Sequence, residues 1–220
     1  MDLDDVMTVV EANERKEYAS DGPEARMIAS TIPYFPFKGI DRFYDIGGMC
    51  ANPEAFALAI RILADRYRGM DIDAIGGFDA RGFVLGTPVA LALAKPFFMI
   101  RKQGKMPNVV QGGSYSKEYT GDNASGLDAL CIPRAAVKAG TKVVLMDDLV
   151  ATGGTLLAGV DLVKQQGGKV VECACMIELK ALAGVAKMQA SHPDVPVWSL
   201  ISEDILTLKG SDLAESEPGA

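Results

Sequence analysis

Asp147 and Asp148 stand side by side at the end of an apolar run, 143–146, and the small residues Ala151, Thr152, Gly153, Gly154 and Thr155 follow at once. A helix-like segment, 156–166, comes next. Glycines let a backbone approach a ligand closely, and the amides that open a helix point at bound phosphate. A bare phosphate would be repelled by two carboxylates just upstream. The acids therefore face something else, either sugar hydroxyls or a magnesium ion. A ligand with a phosphate at one end and a ribose beside it suits both halves. A plain strand, turn and capped helix would give no reason for two adjacent acids.

Other phosphate loops are excluded by spacing. A P-loop needs Lys-Ser or Lys-Thr after its last glycine, and here Gly154 is followed by Thr155 and Leu156. Neither Gly153-Gly154 nor the stretch 76–82 has the three-glycine spacing of a dinucleotide fold. A second cluster, Gly77-Phe78-Asp79-Ala80-Arg81-Gly82-Phe83, is another turn of small residues opening a helix, with a permanent charge on Arg81. A third, Arg101, Lys102 and Lys105, gathers cations at the end of an apolar run.

These residues need a scaffold, and the surrounding pattern supplies one. Asn52-Pro53-Glu54 has the cap, first-turn proline and acid of a helix start. Phe56, Ile60, Leu63 and Tyr67 recur at helical spacing, and Gly69 is a stop. Short strands are expected at 72–76, 97–100, 143–146, 170–177 and 197–201. Helices are expected at 81–94, with Pro88 inside only as a kink, and at 156–166. Residues 101–125, rich in Gly, Ser, Lys and Asn, suggest a long mobile loop. Residues 2–17 suggest a short amphipathic helix, and 211–220 a polar tail. Alternating strands and helices predict an α/β fold, a central mostly parallel sheet flanked by helices. Ligands on such sheets sit beyond the carboxyl ends of the strands, where all three clusters would meet.

The whole chain narrows the function further. Its 220 residues suit one large domain, and 49% hydrophobic residues suffice for a substantial core. The net charge of −7 sets nucleic-acid binding aside. No apolar stretch reaches the roughly 18 residues of a membrane helix. The acidic start lacks the features of a signal peptide and the C-terminus carries no address, so a cytoplasmic location is expected. With His192 the only histidine, serine or cysteine triads are not expected, nor is a zinc site. Cys173 and Cys175, two apart in an apolar run, share one face of a strand as core thiols.

On the segment 143–155 the chain resembles the type I phosphoribosyltransferases, whose donor is phosphoribosyl pyrophosphate (PRPP). The resemblance implies that Asp147 and Asp148 hold the ribose hydroxyls and that Ala151, Thr152, Gly153, Gly154 and Thr155 hold the 5-phosphate. Four motifs in order narrow it to the adenine phosphoribosyltransferases: Phe35-Pro36 with Gly39-Ile40 and Phe43-Tyr44-Asp45-Ile46, then 77–83, then Arg101-Lys102-x-Gly104-Lys105, then 114–119. The likeness runs from about residue 30 to 205, in the longer form found in kinetoplastid protozoa. It implies a type I phosphoribosyltransferase fold with an N-terminal extension (1–30), a domain at 31–205 with a small base-binding hood (31–48) and a flexible catalytic loop (101–125), and a tail (206–220).

The resemblance also assigns roles. Asp79, Ala80, Arg81, Arg101, Lys102, Lys105 and Tyr119 would bind pyrophosphate, with Tyr119 closing the loop. Adenine, a flat ring with polar edges, would stack on Phe43 and be read by backbone groups of Arg42 and Tyr44, with Arg81 also in reach. Tyr44 departs from the family pattern, which has arginine there; backbone recognition survives such a change. Glu118 would take the proton from the imidazole part of adenine. Magnesium, held mainly by PRPP and water with no direct protein ligand, is the expected cofactor, and a homodimer the expected assembly. The activity implied is formation of AMP and pyrophosphate. The alternatives are the same chemistry on hypoxanthine, guanine or xanthine, or a non-catalytic PRPP sensor, which this acidic chain with its loop glutamate fits less well.

Overall fold

The computed structural model describes residues 16–116 and 127–214. In chain order they form α1 (Pro23–Ala29), β1 (Tyr34–Phe37), β2 (Ile40–Tyr44), α2 (Gly47–Ala51), α3 (Pro53–Tyr67), β3 (Ala74–Phe78), α4 (Arg81–Ala92), β4 (Phe97–Lys102), β5 (Val109–Ser116), β6 (Leu127–Pro133), β7 (Lys142–Val150), α5 (Gly154–Gln165), β8 (Lys169–Glu178), α6 (Gly184–Ser191), β9 (Val197–Ser202) and α7 (Gly210–Ala214). Single 3-10 turns lie at Lys180–Leu182 and Glu203–Ile205.

The central sheet has the order β5-β6-β4-β3-β7-β8-β9. Strands β4, β3, β7, β8 and β9 are parallel, while β6 and β5 add an antiparallel edge. Side chains alternate across it. Val144 and Met146 of β7, with Ala174 and Met176 of β8, join Ile28, Leu63, Tyr67 and Val89 from α1, α3 and α4 on one face. Val143, Leu145, Cys173 and Cys175 join Val160 and Val163 of α5 and Met188 of α6 on the other. A strand covered on both faces must be apolar at every position, which explains the unbroken runs of the sequence. Burial pushes the thiols of Cys173 and Cys175 up, so they stay neutral core groups.

Helix α3 starts where its sequence indicates. Asn52 Oδ1 accepts the amides of Glu54 (3.1 Å) and Ala55 (3.0 Å), a cap worth about 1 kcal/mol. The helix is pinned to the sheet by a buried charge cluster. Arg66 donates two hydrogen bonds to Glu172 of β8 (2.6 and 2.7 Å) and Tyr67 donates a third (2.6 Å). The Arg66 guanidinium also lies 4.3 Å from the ring centroid of Trp198 in β9.

Several boundaries differ from expectation. Part of the segment expected as a loop, 101–125, is strand: β4 continues to Lys102, and β5 begins at Val109 and pairs with β6. Strand β6 was not foreseen. Strand β7 does not stop at Met146 but runs through both acids to Val150. Pro88 lies inside α4. At the two ends, α1 of the expected extension buries Ile28, and Leu206 of the expected tail is buried too. The amphipathic helix expected at 2–17 lies almost wholly outside the described residues, as do residues 215–220.

Candidate active site

Strands β3 and β7 pair only as far as Gly77↔Met146. Beyond that point β3 turns into α4 while β7 continues, and a crevice opens at the carboxyl end of the sheet. Asp147 and Asp148 occupy that stretch of β7. Gly82, in the first turn of α4, sits so close to the Met146 carbonyl that no side chain would fit there. This approach brings the turn 79–81 against the acids, and Arg81 Nε meets Asp148 Oδ2 at 3.0 Å. The Asp79–Ala80 peptide is cis.

The acids are poorly solvated. Asp148 is 4% exposed, and its amide donates to Asp147 Oδ1 at 2.9 Å. Burial, and then the charge of Asp148, push the Asp147 carboxyl well above the usual range. Burial also raises Asp148, and Arg81 pulls it back down. Two acids held side by side, Asp148 buried and Asp147 partly exposed, form a site that gains by meeting hydroxyl donors or a cation.

The residues from Ala151 to Thr155 wrap around the N-terminus of α5. Gly153 is the cap residue with φ +78°, a conformation that suits glycine. A Cβ there would come within 2.7 Å of the Gly184 carbonyl at the start of α6. The loop therefore rests on α6, and the first amides of α5 have no intrahelical acceptor.

Facing this crevice is the hairpin β1–β2, turned at Lys38 (φ 49°) and Gly39 (φ 79°). It holds Phe43 over the cleft: its ring lies 5.1 Å from that of Phe37, and the Arg81 guanidinium is 5.5 Å from the Phe43 centroid. Tyr44 turns inward to the core at 2% exposure.

The result is one cleft of about 340 Å³. Of the residues singled out in the sequence, Arg42, Phe43, Tyr44, Asp79, Ala80, Arg81, Lys102, Asp147, Asp148 and Thr155 line it. Arg101 stands beside it rather than in its wall, because its Nε pairs with Asp79 at 2.8 Å and its Nη1 donates to the Lys105 carbonyl at 3.2 Å. Ala151 is buried and supports the loop; Thr152, Gly153, Gly154 and Lys105 are likewise outside the cleft lining. Glu118 and Tyr119 lie outside the described residues. The rest of the wall is apolar: Ile40 and Phe78, which lie within the motifs but carry no assigned role there, and Ile100, Leu130, Leu149 and Leu179, which the sequence does not single out. Apolar residues at strand ends carry no mark that separates them from core.

Among the described residues no group of three or more histidine, cysteine, aspartate or glutamate side chains could hold a metal.

The phosphoribosyl transferase domain family matches residues 49–205. Adenine phosphoribosyltransferase 1 of Triticum aestivum is 42% identical over 188 residues, covering 84% of this chain and 98% of that one. Adenine phosphoribosyltransferase of Edwardsiella ictaluri is 42% identical, covering 79% and 90%. Among solved structures, the adenine phosphoribosyl transferase of Trypanosoma brucei in complex with AMP, pyrophosphate and ribose-5-phosphate superposes with a TM-score of 0.79 at 30% identity, covering 92% and 90%. That of Leishmania donovani gives 0.77 at 27% identity, covering 93% and 99%. With the family match over most of the chain and relatives above 40% identity covered almost end to end, the chain belongs to the phosphoribosyltransferase family, and within it to the adenine phosphoribosyltransferases.

Proposed function

We propose that this chain joins adenine to the ribose anomeric carbon of PRPP, making AMP and releasing pyrophosphate. One observation carries the reading: a single cleft holds an aromatic ring on a hairpin, a cationic turn and a pair of acids, with the N-terminus of α5 beside it. Each complements one part of the two substrates.

In this reading Asp147 and Asp148 accept hydrogen bonds from the ribose hydroxyls, and the residues Ala151 to Thr155 hold the 5-phosphate. Arg81, Arg101, Lys102 and Lys105 surround the departing pyrophosphate with the turn Asp79-Ala80, and Phe43 stacks on adenine while backbone groups of Arg42 and Tyr44 read its edge. Displacement at the anomeric carbon builds positive charge on the sugar, as in glycoside hydrolysis. The acid pair, with Asp148 buried, lies beside the ribose where that charge develops. Glu118 takes the proton that adenine loses, and Tyr119 helps the loop close and exclude water. Magnesium, when bound with the substrate, neutralises phosphate charge. Arg81 is paired with Asp148 and Arg101 with Asp79, which keeps both cations at the cleft.

A homodimer and a cytoplasmic location belong to the same proposal. The dimer has a surface to use in the exposed apolar side chains of α4 and β4, Val84, Leu91 and Met99. The activity is tested by incubating the protein with PRPP, magnesium and each free purine base in turn. AMP from adenine alone supports the reading. A nucleotide from hypoxanthine, guanine or xanthine but not from adenine overturns it.

A further inference from the structure

The hairpin β1–β2 forms a two-stranded sheet of its own, apart from the seven-stranded one, and an isolated hairpin has little stability in water. The chain that follows β9 holds it from behind. The Tyr34 amide donates to the Leu208 carbonyl at 2.9 Å. The ring of Phe35 lies against Gly210 with no room for a side chain between them. The third tie is a directed one: the Tyr44 hydroxyl donates to Glu203 Oε1 at 3.0 Å. Tyr44 ends β2, directly after the cleft residues Arg42 and Phe43. Its ring is buried and packs edge-on to Tyr34, with centroids 6.1 Å apart. The exposed Arg42 guanidinium lies 5.1 Å from the Tyr34 ring centroid, and its hydrogen bond to Tyr44 and the nearby Tyr34 and Glu203 oxygens raise its pKa. One phenol thus joins the cleft strand of the hairpin to the segment that follows β9.

We propose that Glu203 is a positioning residue for the purine. By accepting the Tyr44 hydrogen bond it sets the height of β2, and with it the place of the Phe43 ring over the cleft. The inference rests on the adenine reading above and adds to it a residue that never touches substrate. It also gives the tyrosine at position 44 a purpose in this chain: the hydroxyl reaches an acceptor supplied by the C-terminal segment.

The test is steady-state kinetics on wild type, Glu203→Ala, Glu203→Gln, Tyr44→Phe and the Glu203→Ala/Tyr44→Phe double variant, with adenine and PRPP varied separately. Losing a hydrogen bond to a charged acceptor should raise KM for adenine about fivefold or more, leaving KM for PRPP within about twofold. Glu203→Gln, which keeps an acceptor oxygen, should restore most of the wild-type value. The double variant should be no worse than the poorer single one, since both remove the same contact. Tyr44→Phe keeps the buried ring, so it carries the test should Glu203→Ala fail to fold. An unchanged KM for adenine in Tyr44→Phe, equal increases in both KM values, or additive effects in the double variant would overturn the proposal. Wild type is run alongside: no AMP from wild type sinks the adenine reading, whereas AMP with variants that match wild type sinks only the role of Glu203.

Discussion

Asp147 and Asp148 cost the ligand-free protein stability. A carboxyl whose native pKa lies above its unfolded value binds its proton more tightly in the fold. The cost is therefore absent below the ordinary aspartate pKa and grows as pH rises from there through the raised native value of Asp147. Asp147→Asn should then melt at a higher temperature than wild type at neutral pH, with the advantage vanishing in acid. The same variant should bind PRPP about tenfold or more weakly, as a titration with magnesium present would record. A lower melting temperature together with unchanged affinity would remove Asp147 from both accounts. Glu118→Gln should keep PRPP affinity and lose about 10²-fold or more in turnover, the usual scale for a positioned acid or base. The acids themselves were legible because their type clashes with the apolar run before them. The pairing of Arg81 with Asp148 was not, since it depends on how closely Gly82 lets two loops approach.

At the scale of elements, the loop before α5 depends on Gly153. An alanine there would need a left-handed conformation, costing about 1 kcal/mol, and its Cβ would meet the Gly184 carbonyl. Gly153→Ala should lower the melting temperature and raise KM for PRPP, with KM for adenine much less affected; thermal melts and kinetics check both. Most helices and parallel strands could be placed from sequence because each has one strong signal, a cap with periodic apolar residues or a short unbroken apolar run. The antiparallel edge could not. Strand β5 reads Val-Val-Gln-Gly-Gly-Ser-Tyr-Ser, with glycines in its middle, and its register with β6 shifts there, between Gln111 and Ser114. A strand that is polar, glycine-bearing and at a sheet edge looks like a loop. The carboxyl half of β7 was hidden for a different reason: the positions that carry Asp147 and Asp148 interrupt the hydrophobic pattern by which a strand is recognised.

At the scale of the whole molecule, α4 exposes Leu91 at 75% and Val84, and β4 exposes Met99. In the proposed homodimer these side chains supply apolar contact surface. Leu91→Asp should halve the mass measured by light scattering, and a wild-type mass already equal to one chain would rule out the homodimer. The Arg66–Glu172 cluster with Trp198 lies toward the amino ends of the strands, away from the cleft. Trp198 is the only tryptophan in the chain, and a guanidinium rests on its indole. The protein therefore contains its own optical reporter, sited where no substrate reaches. Emission that holds steady while nucleotide fills the cleft would mean that the amino end of the sheet does not sense the ligand; emission that moves would mean the sheet carries the event from one end to the other.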